Sequence, residues 1–191
     1  MLVSLSGSQG AGKSTVLESL KDAGFKVVEN KTARSILKEW NLSLGEINRD
    51  RDLVKKFQDT IIDRHLENIT PYINTPELVV QERNFIEIFS YCLFQLSQYN
   101  EYNEWFYQYH DKCLELQKVY KKVIYLDTIP NKIVVDDGVR STNRFFSNAV
   151  NLIMVENLKK LNNVVYVSTT NHDERVKIIG NKLKELQERV L

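Results

Sequence analysis

Gly7-Ser8-Gln9-Gly10-Ala11-Gly12-Lys13-Ser14-Thr15 decides how the rest of the chain is read. It is a Gly, four residues, then Gly-Lys-Ser, preceded by the apolar run Leu2-Val3-Ser4-Leu5 and followed by a helical segment, Val16 to Ala23. A polyphosphate needs several donors converging on a small volume. Glycines let backbone N–H groups turn inward, where a Cβ would block both the turn and the close approach. The helix that follows aims its N-terminal N–H groups and its dipole at the same anion. In this reading the loop from Gly7 through Thr15 cradles the phosphates, Lys13 reaches the β- and γ-phosphates, and the Ser14 hydroxyl holds Mg²⁺. The competing description, a turn that only joins strand to helix, does not require the full pattern. The stretch predicts nucleoside triphosphate binding, with ATP and Mg²⁺ as the expected cofactors.

Outward from this loop, short apolar runs read as strands: Leu2–Ser6, Phe25–Glu29, Glu77–Gln81, Val123–Leu126 and Val164–Ser168. Helical stretches separate them, and that alternation predicts an α/β fold with a five-stranded parallel sheet and helices on both faces, a three-layer arrangement. Continuous apolar runs such as Leu78-Val79-Val80 and Val123-Ile124-Tyr125-Leu126 suit strands buried on both sides. A long helical region spans Ala33 to about Asn68, broken near Asn41–Asn48. Another runs from Phe85 to about Lys121, and an amphipathic, charged helix covers Asp173 to Val190.

The 191 residues suit a single domain, 1–191, without repeats or a linker. A charged fraction of 27% and an apolar fraction of 42% are ordinary for a soluble globular protein. With a formal net charge of +1, the chain has no global basic field for nucleic acid, although a local patch stays open. The two cysteines, Cys92 and Cys113, lack zinc-type spacing, and a reduced state is expected. No run approaches a membrane span, and no apolar leader precedes the first strand, so a cytoplasmic location is the expectation.

In parallel sheets of this kind ligands bind at the carboxyl ends of the strands. Strand two ends at Glu29, with Arg34 one turn into the next helix, and either could face an acceptor or remain a surface charge. Strand three ends in Gln81-Glu82-Arg83. Glu82 is placed to accept the proton of an attacking hydroxyl or to hold the metal's water shell, and Arg83 to clamp a phosphate or sugar hydroxyl. Glu87 and Tyr91 are spaced i, i+4 and share a helix face that could line an acceptor pocket; alternatively Glu87 is a solvated helix charge. Strand four ends at Asp127, a second candidate for the metal carboxylate, so Glu82 and Asp127 compete until the strand order is known. Asp137-Gly138 marks a turn, after which Arg140 and Arg144 would share a face of a helix beginning near Ser141. Arginines on such a segment suit closure over transferring phosphates. The aromatic cluster from Tyr91 to Tyr109 reads as core, with no site assigned from Phe94 onward.

Taken together, Gly7–Thr15, Glu29 with Ala33-Arg34, Glu82-Arg83 with Glu87 and Tyr91, Asp127-Thr128 and Asp137-Gly138-Val139-Arg140 resemble a P-loop ATPase/kinase family. That family includes the nicotinamide-riboside kinase domain and small phage proteins, and is related to deoxynucleoside and thymidylate kinases. The resemblance spans nearly the whole chain. The usual Asp-Arg of strand three is here Glu82-Arg83, as in deoxynucleoside kinases, and the helical Asp is here Glu87. What the resemblance implies is transfer of the ATP γ-phosphoryl to a nucleoside or nucleoside monophosphate. Glu82 would orient or deprotonate the acceptor, Arg83 clamp it, Arg140 stabilise the transition state and Arg144 help close over ATP. His172 and Arg175 follow the last strand, near where adenine lies in many P-loop kinases. A kinase acting on a modified base or end in DNA remains open, with Lys31, Arg34, Lys38, Arg49 and Arg51 as the nearby basic supply. So does an ATPase switch working through a protein partner, with Asp127 as metal carboxylate. A homodimer is also compatible with the sequence.

Overall fold

The central strand, β1 (Leu2–Ser6), is buried along its whole length, and the sheet grows from it in both directions. The structure, a computed structural model, describes residues 1–30, 32–99, 104–129 and 143–188. Lys31 and the stretch 130–142, with Arg140, lie outside them. The other strands are β2 (Lys26–Val28), β3 (Val79–Glu82), β4 (Lys122–Leu126) and β5 (Val164–Val167), and the order across the five-stranded sheet is β2-β3-β1-β4-β5. Every pairing is parallel, so every connection crosses over through helix. The first strand coincides with its expected span. The third ends at Glu82 rather than Gln81, because the register pairs Leu5 with Glu82 and carries the ladder to the carboxylate.

Alternation along the strands divides the core. Val3 and Leu5 of β1, with Val80, Ile124 and Leu126, meet α1 (Lys13–Asp22) and α8 (His172–Glu188) through Val16, Leu17, Leu20, Ile179 and Leu183. The opposite face, with Leu2, Val79, Val123 and Tyr125, packs the remaining helices. These are α2 (Thr32–Trp40), α3 (Leu44–Ile47), α4 (Arg51–Ile69), α5 (Phe85–Leu96), α6 (Glu104–Gln117) and α7 (Arg144–Leu158).

Side-chain caps set many of the boundaries. Ser43 and Glu46 form a capping box on α3, and Asp50 accepts from the Asp52 and Leu53 amides at the start of α4. Asn143 caps α7, which therefore begins at Arg144 rather than near Ser141. The single helical region expected from Phe85 to Lys121 is divided. α5 closes on Ser97, whose amide bonds Leu93 and Phe94 carbonyls and whose hydroxyl donates to the Phe94 carbonyl at 2.6 Å. Such local side-chain bonding by Ser97 competes with helix continuation, while Gln98 and Tyr99 turn their side chains to the Asn48 carbonyl.

Candidate active site

The carboxyl ends of β3, β1 and β4 lie side by side, and the Gly7–Gly12 loop leaves β1 between Glu82 and Asp127. Gly7 has φ 154°, and a Cβ there would sit 2.8 Å from the Leu126 carbonyl oxygen and 3.0 Å from the Ala11 Cβ. Gly12 caps α1 in the left-handed region at φ 84°. Both positions need glycine for reasons visible in the backbone. Ser8 is fully buried in this loop, and its hydroxyl has no hydrogen-bond partner among the described residues. A donor left unpaired where a phosphate oxygen would lie is the fit expected of an anion cradle.

Lys13 curls back into the loop, donating to the Gly7 carbonyl and, at 3.2 Å, to that of Ser8. Its ammonium also lies 3.2 Å from Glu87 Oε1. Glu87 is fully buried and receives the Ser6 hydroxyl at 3.1 Å and the Gly7 amide at 3.3 Å on its other oxygen. Arg83 Nη1 stands 3.4 Å from the same carboxylate. Glu87 is therefore no solvated helix charge: it neutralises two cations beneath the phosphate loop. Burial pushes the Lys13 pKa down, and Glu87 pulls against it. Burial also opposes the Arg83 charge, but Glu87, Tyr91 and Glu82 outweigh it, and the Arg83 pKa is raised. Arg83 adopts φ 69°, rare for a side chain of its size, and its guanidinium lies 5.5 Å from the centre of the Tyr91 ring.

A second hydrogen-bonded chain starts at Glu82, whose Oε2 accepts the Asn30 backbone amide at 3.1 Å. The Asn30 side-chain amide meets His65 Nδ1 at 2.6 Å, and His65 Nε2 meets the Tyr120 hydroxyl at 2.7 Å. With Asn30 donating, Nδ1 accepts and Nε2 carries the proton. Burial, helped by the Arg83 charge, lowers the His65 pKa to about 3. The loop after β2 is thereby tied directly to Glu82 at the end of β3 and, through a neutral histidine on α4, to Tyr120.

A cavity of about 710 Å³ joins these parts. It is lined by Ser8 through Thr15 and by Glu29, Arg34, Glu82, Arg83 and Tyr91, which brings most of the sequence candidates to one place. Glu29 and Arg34 are exposed and sit at its rim. Glu87 acts from behind the wall rather than lining it, and Asp127 lies outside the lining, on the β4 side of the loop. Arg144 is exposed in the first turn of α7 and does not line the cavity, whereas Phe146, two residues further in, does.

The apolar part of the cavity comprises Leu37, Leu44, Phe57, Ile61, Ile88 and Phe146. Two glutamines, Gln58 and Gln95, lie among them and hydrogen-bond each other. Gln95 also donates to Asn48 Oδ1 at 2.6 Å, and the Tyr109 hydroxyl donates to Gln58 Oε1 at 3.0 Å. Neither glutamine was singled out from sequence, nor was Asn30. Helical amides carry no spacing signal, and only the packing of α4 against α5 turns them toward one space.

For Mg²⁺, the exposed Ser14 hydroxyl at the start of α1 is the available protein ligand, with Glu82 and Asp127 on either side. No group of three or more His, Cys, Asp or Glu able to hold a metal occurs among the described residues. Cys92 and Cys113 are both buried free thiols, and burial raises the pKa of each. Among the described residues no helix is long and apolar enough to cross a membrane.

Comparisons with known proteins bear on the fold that carries this site. A deoxyadenosine kinase from M. mycoides, with dCMP and dCDP bound, superposes with a TM-score of 0.70 over 97% of this chain and 100% of its own, at 19% identity. The same kinase with dATP bound gives 0.69 at 18% identity, covering 96% and 100%. A thymidylate kinase from Candida albicans gives 0.69 at 12% identity, covering 97% and 92%. At these identities the likeness is one of fold, and it is the α/β fold of P-loop nucleoside and nucleotide kinases. No curated protein matches the chain by sequence. The family described as the AAA domain matches residues 2–175, and the chain belongs to that family.

Proposed function

We propose that the protein is an ATP-dependent kinase that moves the γ-phosphoryl group to a nucleoside or nucleoside monophosphate. One observation carries the reading: a single cavity holds the phosphate loop together with Glu82, Arg83 and an apolar pocket containing two buried glutamine amides. A phosphate cradle beside a slot for a flat heterocycle with hydrogen-bonding edges is what such a transfer needs. In this reading Lys13 leaves its loop carbonyls and Glu87 for the β- and γ-phosphates when ATP binds. Asn30 fixes one oxygen of Glu82, leaving the other for an acceptor hydroxyl, whose proton Glu82 receives as the new O–P bond forms and the bond from the γ-phosphorus to the bridging oxygen breaks, releasing ADP. Arg83, held charged and stacked by Tyr91, clamps the acceptor. Mg²⁺, held by Ser14 and one flanking carboxylate, would neutralise charge on the phosphates. Glu82 lines the cavity and Asp127 does not, which favours Glu82 as the acceptor-side carboxylate and leaves Asp127 for the metal side. Arg140, outside the described residues, and Arg144 are proposed to close over the phosphates. The same reading places the protein in the cytoplasm, with its nucleotide substrates.

The test is γ-labelled ATP offered with nucleosides, nucleoside monophosphates and DNA in parallel. Label passing to a nucleoside or monophosphate supports the proposal. Label on DNA, or only on free phosphate, would replace it with a DNA kinase or an ATPase switch.

A further inference from the structure

Arg175 is 1% exposed, although it belongs to the first turn of α8 at the surface end of the sheet. Its bonds go to main-chain carbonyls from different loops. Nε donates to Thr169 O at 2.6 Å, after β5, and Nη2 to Asp127 O at 2.6 Å, after β4. Nη1 donates to Ala11 O at 2.5 Å, inside the phosphate loop. A buried guanidinium satisfied by carbonyls is a costly arrangement unless the geometry it enforces is needed. Nothing in the transfer chemistry described above uses it.

The strand order says which part of the site it supports. Acceptor-side residues come from the ends of β2 and β3, on one flank of the phosphate loop. Arg175 ties the loop to the ends of β4 and β5, on the other flank, the side left for the donor when the acceptor takes the first. The contact at Ala11 has a direct consequence. Peptides are planar, and this one is trans, since no cis bond occurs among the described residues. Drawing the Ala11 carbonyl toward Arg175 therefore points the N–H of Gly12 the opposite way. The Ala11 amide is already spent on the Ser8 carbonyl at 3.1 Å, so Gly12 is the next donor the loop can offer.

We propose that Arg175 is a positioning residue for the donor nucleotide: by holding the Ala11 carbonyl away from the cradle it turns the Gly12 N–H toward the phosphates. The inference rests on reading Gly7–Thr15 as the ATP site. It identifies a function for a residue outside the loop motif, on the last helix of the fold.

The experiment compares Arg175→Ala, Arg175→Lys and a core control from the same helix, Ile179→Ala, which is fully buried but makes no loop contact of this kind. Affinity for MgATP and for inorganic triphosphate is measured by calorimetry, with Tm recorded for each variant. Arg175→Ala is expected to weaken both ligands by a similar factor, about tenfold or more, because a charge-assisted bond that shapes the cradle is lost. Methylguanidinium at a non-denaturing concentration should restore part of the affinity. Arg175→Lys, with one ammonium for carbonyls spread over separate loops, should fall between, and serves if the alanine variant does not fold. Ile179→Ala should lower Tm and leave both affinities near wild type. Wild-type affinity in the Arg175 variants, or an equal loss in Ile179→Ala, would overturn the proposal. A wild-type protein that binds neither ligand would instead bring down the ATP-site reading itself.

Discussion

Lys13 and Arg83 converge on the Glu87 carboxylate at 3.2 and 3.4 Å, in a place where Glu87 has no access to water. Removing one member of such a buried group leaves the others uncompensated. Glu87→Ala is expected to destabilise the protein by about 3 kcal/mol, measured by urea denaturation, and a loss within error of zero would mean that the cations find other partners. Lys13→Ala should abolish ATP turnover, whereas Glu82→Gln should lose transfer yet keep ATP binding. Full transfer by Glu82→Gln would rule out its role as base. His65 supplies the pH dependence. The folded protein keeps it neutral down to about pH 3, while the unfolded chain takes up a proton near pH 6.5. Its contribution is thus fully present above pH 6.5 and is lost as pH falls toward 3, by at most about 1.4 kcal/mol per pH unit. His65→Gln should flatten that acid limb of the stability profile; an unchanged slope would show that other groups set it.

Among the elements, the β1–loop–α1 unit and the start of α5 hold the site in place. Gly7→Ala would drive a Cβ into the Leu126 carbonyl at 2.8 Å and impose φ 154° on an alanine, so nucleotide binding should be lost along with stability on the order of 1–3 kcal/mol. Asn84 caps α5 by accepting the Glu87 amide at 2.8 Å and anchors it to β1 through the Ser4 hydroxyl at 3.2 Å. Asn84→Ala should cost about 1 kcal/mol or somewhat more and shift the helix turn that carries Glu87, which a drop in Tm with weaker ATP binding would register. These elements were legible in the sequence to different degrees. The glycine pattern fixed the loop and the apolar runs fixed the strands, because both are local signals. The division of α5 from α6 was missed, since aromatic density around Tyr91 to Tyr109 reads as one helix until the Ser97 side chain is seen to compete for its backbone.

For the molecule as a whole, the sequence predicted an α/β sheet with helices on both faces but not the order β2-β3-β1-β4-β5, which depends on crossovers that leave no mark in composition. That order is what sets Glu82 on one side of the phosphate loop and Asp127 on the other, a choice the residues alone left open. It also explains why Gln58 and Gln95 carry no signal linking them to the loop, and why Arg175, expected only near the adenine, is not tied to the loop by sequence. They are far apart in the chain, and packing alone brings them to the same end of the sheet. The central proposition is that one cavity holds the phosphate donor and the acceptor together. Calorimetric binding of a deoxynucleoside joined to adenosine through a polyphosphate tests it directly. Occupying both halves at once should give an affinity about a hundredfold or more above that of ATP, reduced by Lys13→Ala and by Arg83→Met. An affinity no better than that of ATP, and indifferent to Arg83, would contradict it.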